Sequence, residues 1–152
     1  MNILFGVGNP LSGDDGIGNY IAERFRADGW SVYDCGTVPE NFTSLVRKAR
    51  PPLLVIVDAA DLGLSPGEVR VVPEEYIEDV SIGTHQLPLT HVIEFLKECT
   101  GEIIFIGIQP RSLVFGTDLS SEAVAGADRL IKVLEEDAID TIPEFKGTEG
   151  QS

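Results

Sequence analysis

The chain predicts an α/β fold: a three-layer αβα sandwich around a mostly parallel, twisted sheet of about five strands. Three observations carry this. Short apolar runs alternate with segments of helical periodicity along the chain. Two of those runs, residues 1–7 and 53–57, are apolar almost without interruption, as in strands buried on both faces. The first run passes through glycines straight into a helical pattern, the strand–turn–helix opening of parallel α/β domains.

The elements follow in order. Residues 1–7 form the first strand, and Gly13, Asp14, Asp15 and Gly16 form a turn. Ile17, Tyr20, Ile21 and Phe25 then recur at helical spacing, with Gly29 as the helix stop. Residues 30–33 read as a second strand. Asn41 is placed to cap a helix that Pro51 and Pro52 terminate after Ala49. The buried run 53–57 ends on Asp58. A turn at Ser65, Pro66 and Gly67 introduces a more polar strand over 68–72, and 73–80 accommodates one or two helical turns. Residues 81–87 form a loop. Pro88 opens a helix whose Val92, Phe95, Leu96 and Cys99 make an apolar face. A buried strand over 103–108, a loop over 109–119 and a helix over 120–136 complete the pattern. Residues 1–145 are expected to form a single domain, and the small, polar residues 146–152 a disordered tail.

Composition narrows the function. With 43% hydrophobic and 24% charged residues the chain is ordinary for a globular domain, but its formal net charge is -14. Such a surface repels phosphate backbones, which argues against nucleic acid as a partner. No basic segment precedes the first apolar run, and no run reaches the roughly 20 residues of a membrane span. The expectation is a cytoplasmic monomer without membrane insertion. Cys35 and Cys99 lack metal-ligand spacing and read as unpaired thiols of a reducing compartment. Cys35 is expected to be a small buried thiol rather than a nucleophile, and Cys99 a core residue.

In parallel sheets, ligands bind beyond the carboxyl ends of the strands. Asp15 and Asp58 both follow strand ends, and they converge if the first and third strands are neighbours. The opening turn is not a phosphate cradle. Gly6, Val7, Gly8, Asn9, Pro10, Leu11 lacks the last glycine of the dinucleotide fingerprint, and no lysine completes a P-loop. Acids at a helix start would also repel phosphate. Two carboxylates about 5 Å apart repel by about 3 kcal/mol at an effective dielectric of 20. A shared proton or a cation must offset that. His91, on the polar side of its helix with Glu94 and Glu98, reads as a surface residue. His85 lies in the loop Gly83, Thr84, His85, Gln86, Leu87, where functional residues concentrate. One imidazole and two carboxylates suit a divalent transition ion with open positions. Asp14 reads as a capping and orienting residue. Gly8, Gly13 and Gly16 permit the tight turn, and Asn9 is placed to bond across it.

Three stretches, in order, resemble the hydrogenase maturation endopeptidases: residues 6–18, the strand end Val55, Ile56, Val57, Asp58, Ala59, and the loop Thr84, His85, Gln86, Leu87, Pro88, Leu89. Residues 38–41, 58–68 and 107–110 bring it nearest to the branch that serves formate-hydrogenlyase-type enzymes. The resemblance implies a peptide hydrolase that removes the C-terminal extension of the large-subunit precursor of a nickel-iron hydrogenase. It also implies that Asp15, Asp58 and His85 are the catalytic and metal-contacting residues, meeting nickel carried by the precursor, with no metal held tightly at rest. Whether the carboxylates share a proton as general acid and base, or act beside a metal-activated water, stays open. Two rival readings accompany it. One is a non-cleaving, nickel-dependent checkpoint or chaperone for the same precursor. The other is a peptidyl-tRNA hydrolase-like enzyme, suggested by Gly6, Val7, Gly8, Asn9, Pro10 but opposed by the acidic surface.

Overall fold

The computed structural model describes residues 1–83 and 87–147. Five strands, β1 (Asn2–Val7), β2 (Trp30–Gly36), β3 (Leu53–Ala59), β4 (Val69–Val72) and β5 (Glu102–Ile108), form one sheet in the order β2-β1-β3-β5-β4. The first four in that order run parallel, and β4 pairs antiparallel to β5 at one edge. Five helices accompany them: α1 (Ile17–Arg24), α2 (Thr43–Ala49), α3 (Glu74–Val80), α4 (Leu89–Leu96) and α5 (Ser121–Glu135).

Strand alternation divides the core into two layers. Ile3, Phe5, Val7, Leu54, Ile56 and Phe105 face one side, where they pack with Val46 of α2, Ile77 of α3 and Leu96 of α4. Leu4, Val55, Val57, Ile106 and Ile108 face the other, against Ile21 of α1 and Leu130 of α5. The central strands are therefore covered on both faces, which is why they are apolar without alternation.

β1 is flanked by β2 on one side and β3 on the other. The chain thus reverses its direction of winding at β1 and β3, and the crevice outside their carboxyl ends is the switch point of the sheet.

Several local expectations change. α1 ends at Arg24 rather than at Gly29, because Phe25 turns extended and buries its ring edge-on against Trp30, 5.3 Å between centroids. Gly29 instead lies in the turn into β2, which continues to Gly36. Asn41 caps no helix: it sits inside a 3-10 turn, Pro39–Phe42, which delivers the chain into α2. Proline favours that first tight turn, having no amide hydrogen to satisfy. Phe95 leaves the inner face of α4, which is formed by Leu89, Val92, Ile93 and Leu96. It is 55% exposed, with the Arg47 guanidinium 5.7 Å from its ring centroid.

Near the end of the described chain, the Phe145 amide donates to the Val71 carbonyl (2.8 Å) and the Val71 amide to the Pro143 carbonyl (3.0 Å). This segment covers the open edge of β4, which would otherwise invite pairing with another chain. Phe145 is buried, edge-on to Tyr76. Of the expected tail, Lys146 and Gly147 are described, and a Cβ at Gly147 would stand 3.4 Å from the Tyr76 ring. Residues 148–152 lie outside the described residues.

Candidate active site

The site begins with β1. Its last residue, Val7, leads into Gly8, where a Cβ would collide with the Asp15 carbonyl oxygen. The turn can double back on itself only because Gly8 has no side chain. The Asn9 amide closes it, donating to the Asp15 carbonyl (3.1 Å) and toward Asp15 Oδ2 (3.3 Å). Asn9 Oδ1 accepts from the Leu11 amide at 3.0 Å, so the expected bond across the turn is present. Residues Gly13–Gly16 form a 3-10 turn that runs directly into α1.

α1 is seated on the switch point. A Cβ at Gly18 would collide with the Val7 carbonyl oxygen and lie 2.7 Å from that of Val57. The start of the helix therefore rests on the ends of β1 and β3 together. Asp15 lies three residues before Gly18, and Asp58 follows Val57 directly. The expected pairing of the first and third strands is present, with Gly6 opposite Val57.

The two carboxylates have different surroundings. Asp58, opposite Gly107 of β5, is 1% exposed and projects on the α2–α4 side of the sheet with Leu54 and Ile56. Asp15, in the turn after β1, is partly exposed. Gly83, the last described residue before the loop, lies close to it: a Cβ there would stand 3.9 Å from Asp15 Oδ2. His85 itself lies outside the described residues. His91 is exposed, as expected. Among the described residues, no group of three His, Cys, Asp or Glu side chains is arranged to hold a metal ion.

Asp14 is neither exposed nor a cap for its own helix. It is 1% exposed, and its carboxylate accepts from a distant loop: Ser120 N (2.6 Å) and Oγ (2.7 Å), Arg111 N (2.8 Å) and Ser112 N (3.4 Å). Ser120 Oγ in turn accepts from the Ala123 amide at 3.2 Å and so caps α5. Asp14 thus orients the wall beside the site through a loop about a hundred residues away.

Three further polar residues shape the rim. Asn19 Nδ2 donates to Asp34 Oδ1 (2.7 Å), which also accepts from the Gly36 amide (3.0 Å), tying the end of β2 to α1. Gln109 Oε1 accepts from the amides of Leu62 (2.6 Å) and Leu64 (3.2 Å), pinning the loop after β3 to the end of β5. Nothing in their local sequence marks these roles, because each partner comes from another element. Cys35 is 2% exposed, and its thiol is pushed far above the ordinary range, by burial first and by the neighbouring Asp34 second. It is a core residue with no access to nucleophilic work, and Cys99 is buried likewise.

The fold is shared with known proteins. A family model described as hydrogenase maturation protease matches residues 16–137. The chain belongs to the hydrogenase maturation protease family. It is 46% identical over 113 residues to the hydrogenase 3 maturation protease of Escherichia coli K12, covering 72% of each chain. It is 31% identical over 156 residues to a putative hydrogenase maturation protease of Methanocaldococcus jannaschii, covering 95% of this chain and 89% of that one. The solution structure of the endopeptidase HycI from E. coli superposes with a TM-score of 0.87 at 35% identity, over 95% of this chain and 96% of that one. A [NiFe] hydrogenase maturation protease HycI from Thermococcus kodakarensis superposes at 0.79 with 31% identity, over 90% and 91%. The protease reading therefore stands, as does the α/β architecture expected for it.

Proposed function

We propose that this protease removes the C-terminal extension of the large-subunit precursor of a nickel-iron hydrogenase, and that Asp15, Asp58 and His85 recognise nickel carried by the precursor. The observation that supports this reading is the pairing of β1 with β3, which sets the strand end leading into the Asp15 turn beside the strand end that carries Asp58, with the start of α1 resting on both. Oxygen ligands with an imidazole fit a divalent transition ion that keeps open positions. The ion is part of the substrate, and a precursor without it lacks the feature that the carboxylates bind.

The chemistry divides by burial. Asp58, held in the sheet, is a carboxyl group whose position the backbone dictates. Asp15, at the mouth, can meet both substrate and water. A bound ion supplies polarisation of the scissile carbonyl or a lowered pKa for a water. A carboxylate at Asp15 can take the proton of that water and return it to the leaving amine. No thiol takes part, since Cys35 and Cys99 are both buried. A cytoplasmic, monomeric protein accords with this role. Among the described residues, no helix is long and apolar enough to cross a membrane.

The test is a mass measurement on the precursor after incubation with wild-type protein and with Asp15→Asn, Asp58→Asn and His85→Ala. Each variant is expected to fold and to cut about 100- to 10,000-fold more slowly. If two of the three cut at the wild-type rate, the proposed site is wrong. Stable binding without cleavage by the wild type would favour the checkpoint reading.

A further inference from the structure

The side chains at the mouth of the crevice are not all polar. Of eight large apolar side chains exposed among the described residues, four belong to the opening turn and the loop beside it. They are Leu11 (60% exposed), Leu113 (37%), Val114 (61%) and Phe115 (74%). Three are consecutive in sequence. Isolated exposed apolar residues are ordinary, but a cluster beside a functional crevice marks an interaction surface.

This loop is held in shape. Its base is clamped by Asp14 through the amides of Arg111, Ser112 and Ser120. Its tip is closed by Thr117, whose Oγ1 donates to the Val114 carbonyl at 2.6 Å, and by the Val114 amide donating to Ser112 Oγ at 3.3 Å. It is joined to the opening turn by the Gly116 amide, which donates to the Leu11 carbonyl at 2.8 Å. Phe115 therefore stays exposed between two neighbours, Val114 and Gly116, whose backbones are bonded, at an entropic cost already met by folding.

We infer that Leu11, Leu113, Val114 and Phe115 form the docking surface for an apolar segment of the precursor adjoining its scissile bond. This rests on the proposed protease action at Asp15. The occupant follows from continuity. Leu11 and Asp15 lie in the same turn, and Asp14 ties that turn to the loop, so a polypeptide that places a peptide bond at Asp15 crosses this surface. With a net charge of -14, the protein offers a neutral landing site here that its acidic surface does not.

The test compares wild type with a Val114→Ser, Phe115→Ser double variant, using the nickel-loaded large-subunit precursor of the host. Both side chains are exposed, so the variant is expected to keep the wild-type unfolding temperature. Phe115→Leu serves as the conservative variant. Phe95→Ser, at an exposed apolar residue late in α4, serves as the distant control. Cleavage kinetics, binding to immobilised protein and sedimentation are measured together. The expected result is at least a tenfold fall in kcat/KM, expressed in KM with kcat retained, with Phe115→Leu and Phe95→Ser near wild type. Equal KM for the double variant overturns the docking surface and leaves the protease reading intact. If wild type binds without cutting, the protease reading fails, and the surface is judged by whether the double variant binds tenfold more weakly. If wild type neither binds nor cuts, both fail. If wild type self-associates through this patch and the variant is monomeric with unchanged KM, the occupant is a second copy and the inference is overturned.

Discussion

Asp14 and Asp15 are neighbours in sequence with opposite duties. Asp14 is buried and saturated by loop amides, while Asp15 stands at the crevice mouth. Removing them should therefore fail differently. Asp14→Ala orphans three backbone amides and the Ser120 hydroxyl, and is expected to cost about 2–4 kcal/mol in a denaturant titration. Asp15→Asn should change stability little and act on cleavage. Equal stability losses for the two would contradict this division. Cys35 supplies a pH prediction. Its folded thiol holds its proton more tightly than an unfolded one, so its contribution to stability is complete below the ordinary thiol range and is lost as pH rises above it. In the native protein at pH 8 it should resist alkylation, and Cys35→Ala should keep cleavage activity. At this scale the sequence was legible in the strand-end positions of Asp15 and Asp58. It marked Asp14 as orienting and 107–110 by resemblance, but did not give the partners of Asp14, Asn19 and Gln109, which come from distant elements.

The elements owe their positions to close approaches that only small residues allow. α1 rests on β1 and β3 because Gly18 presents no side chain to the Val7 and Val57 carbonyls. Gly18→Ala should lift the helix, cost about 1–3 kcal/mol or more, and lower cleavage by shifting Asp15. Unchanged stability and activity would show that α1 is not seated as described. The buried strands were readable, since strands covered on both faces must be apolar throughout. The ends of helices were harder. α1 stops where Phe25 gains more from packing on Trp30 than from another helical turn, and α2 starts from a 3-10 turn instead of an Asn41 cap. Phe95 had helical spacing suited to the core, yet α4 rolls it outward against Arg47. Such outcomes depend on tertiary neighbours that local spacing does not contain.

At the scale of the molecule, the order β2-β1-β3-β5-β4 puts the end of β1, which leads into the Asp15 turn, beside the end of β3, which carries Asp58. The alternation of strands and helices foretold the layers. The position of the switch point depended on β1 pairing with β3, which only the structure displays. The stretches 58–68 and 107–110, singled out by their resemblance to other proteases, prove to be bonded to one another through Gln109. On the proposed reading, the protein cuts a precursor according to the metal that the precursor carries. The most direct measurement is the mass of the host's large-subunit precursor, nickel-loaded and nickel-free, after incubation with the purified protein. Loss of a C-terminal peptide from the loaded form alone is expected. Cleavage of both forms alike, or of neither, would contradict it.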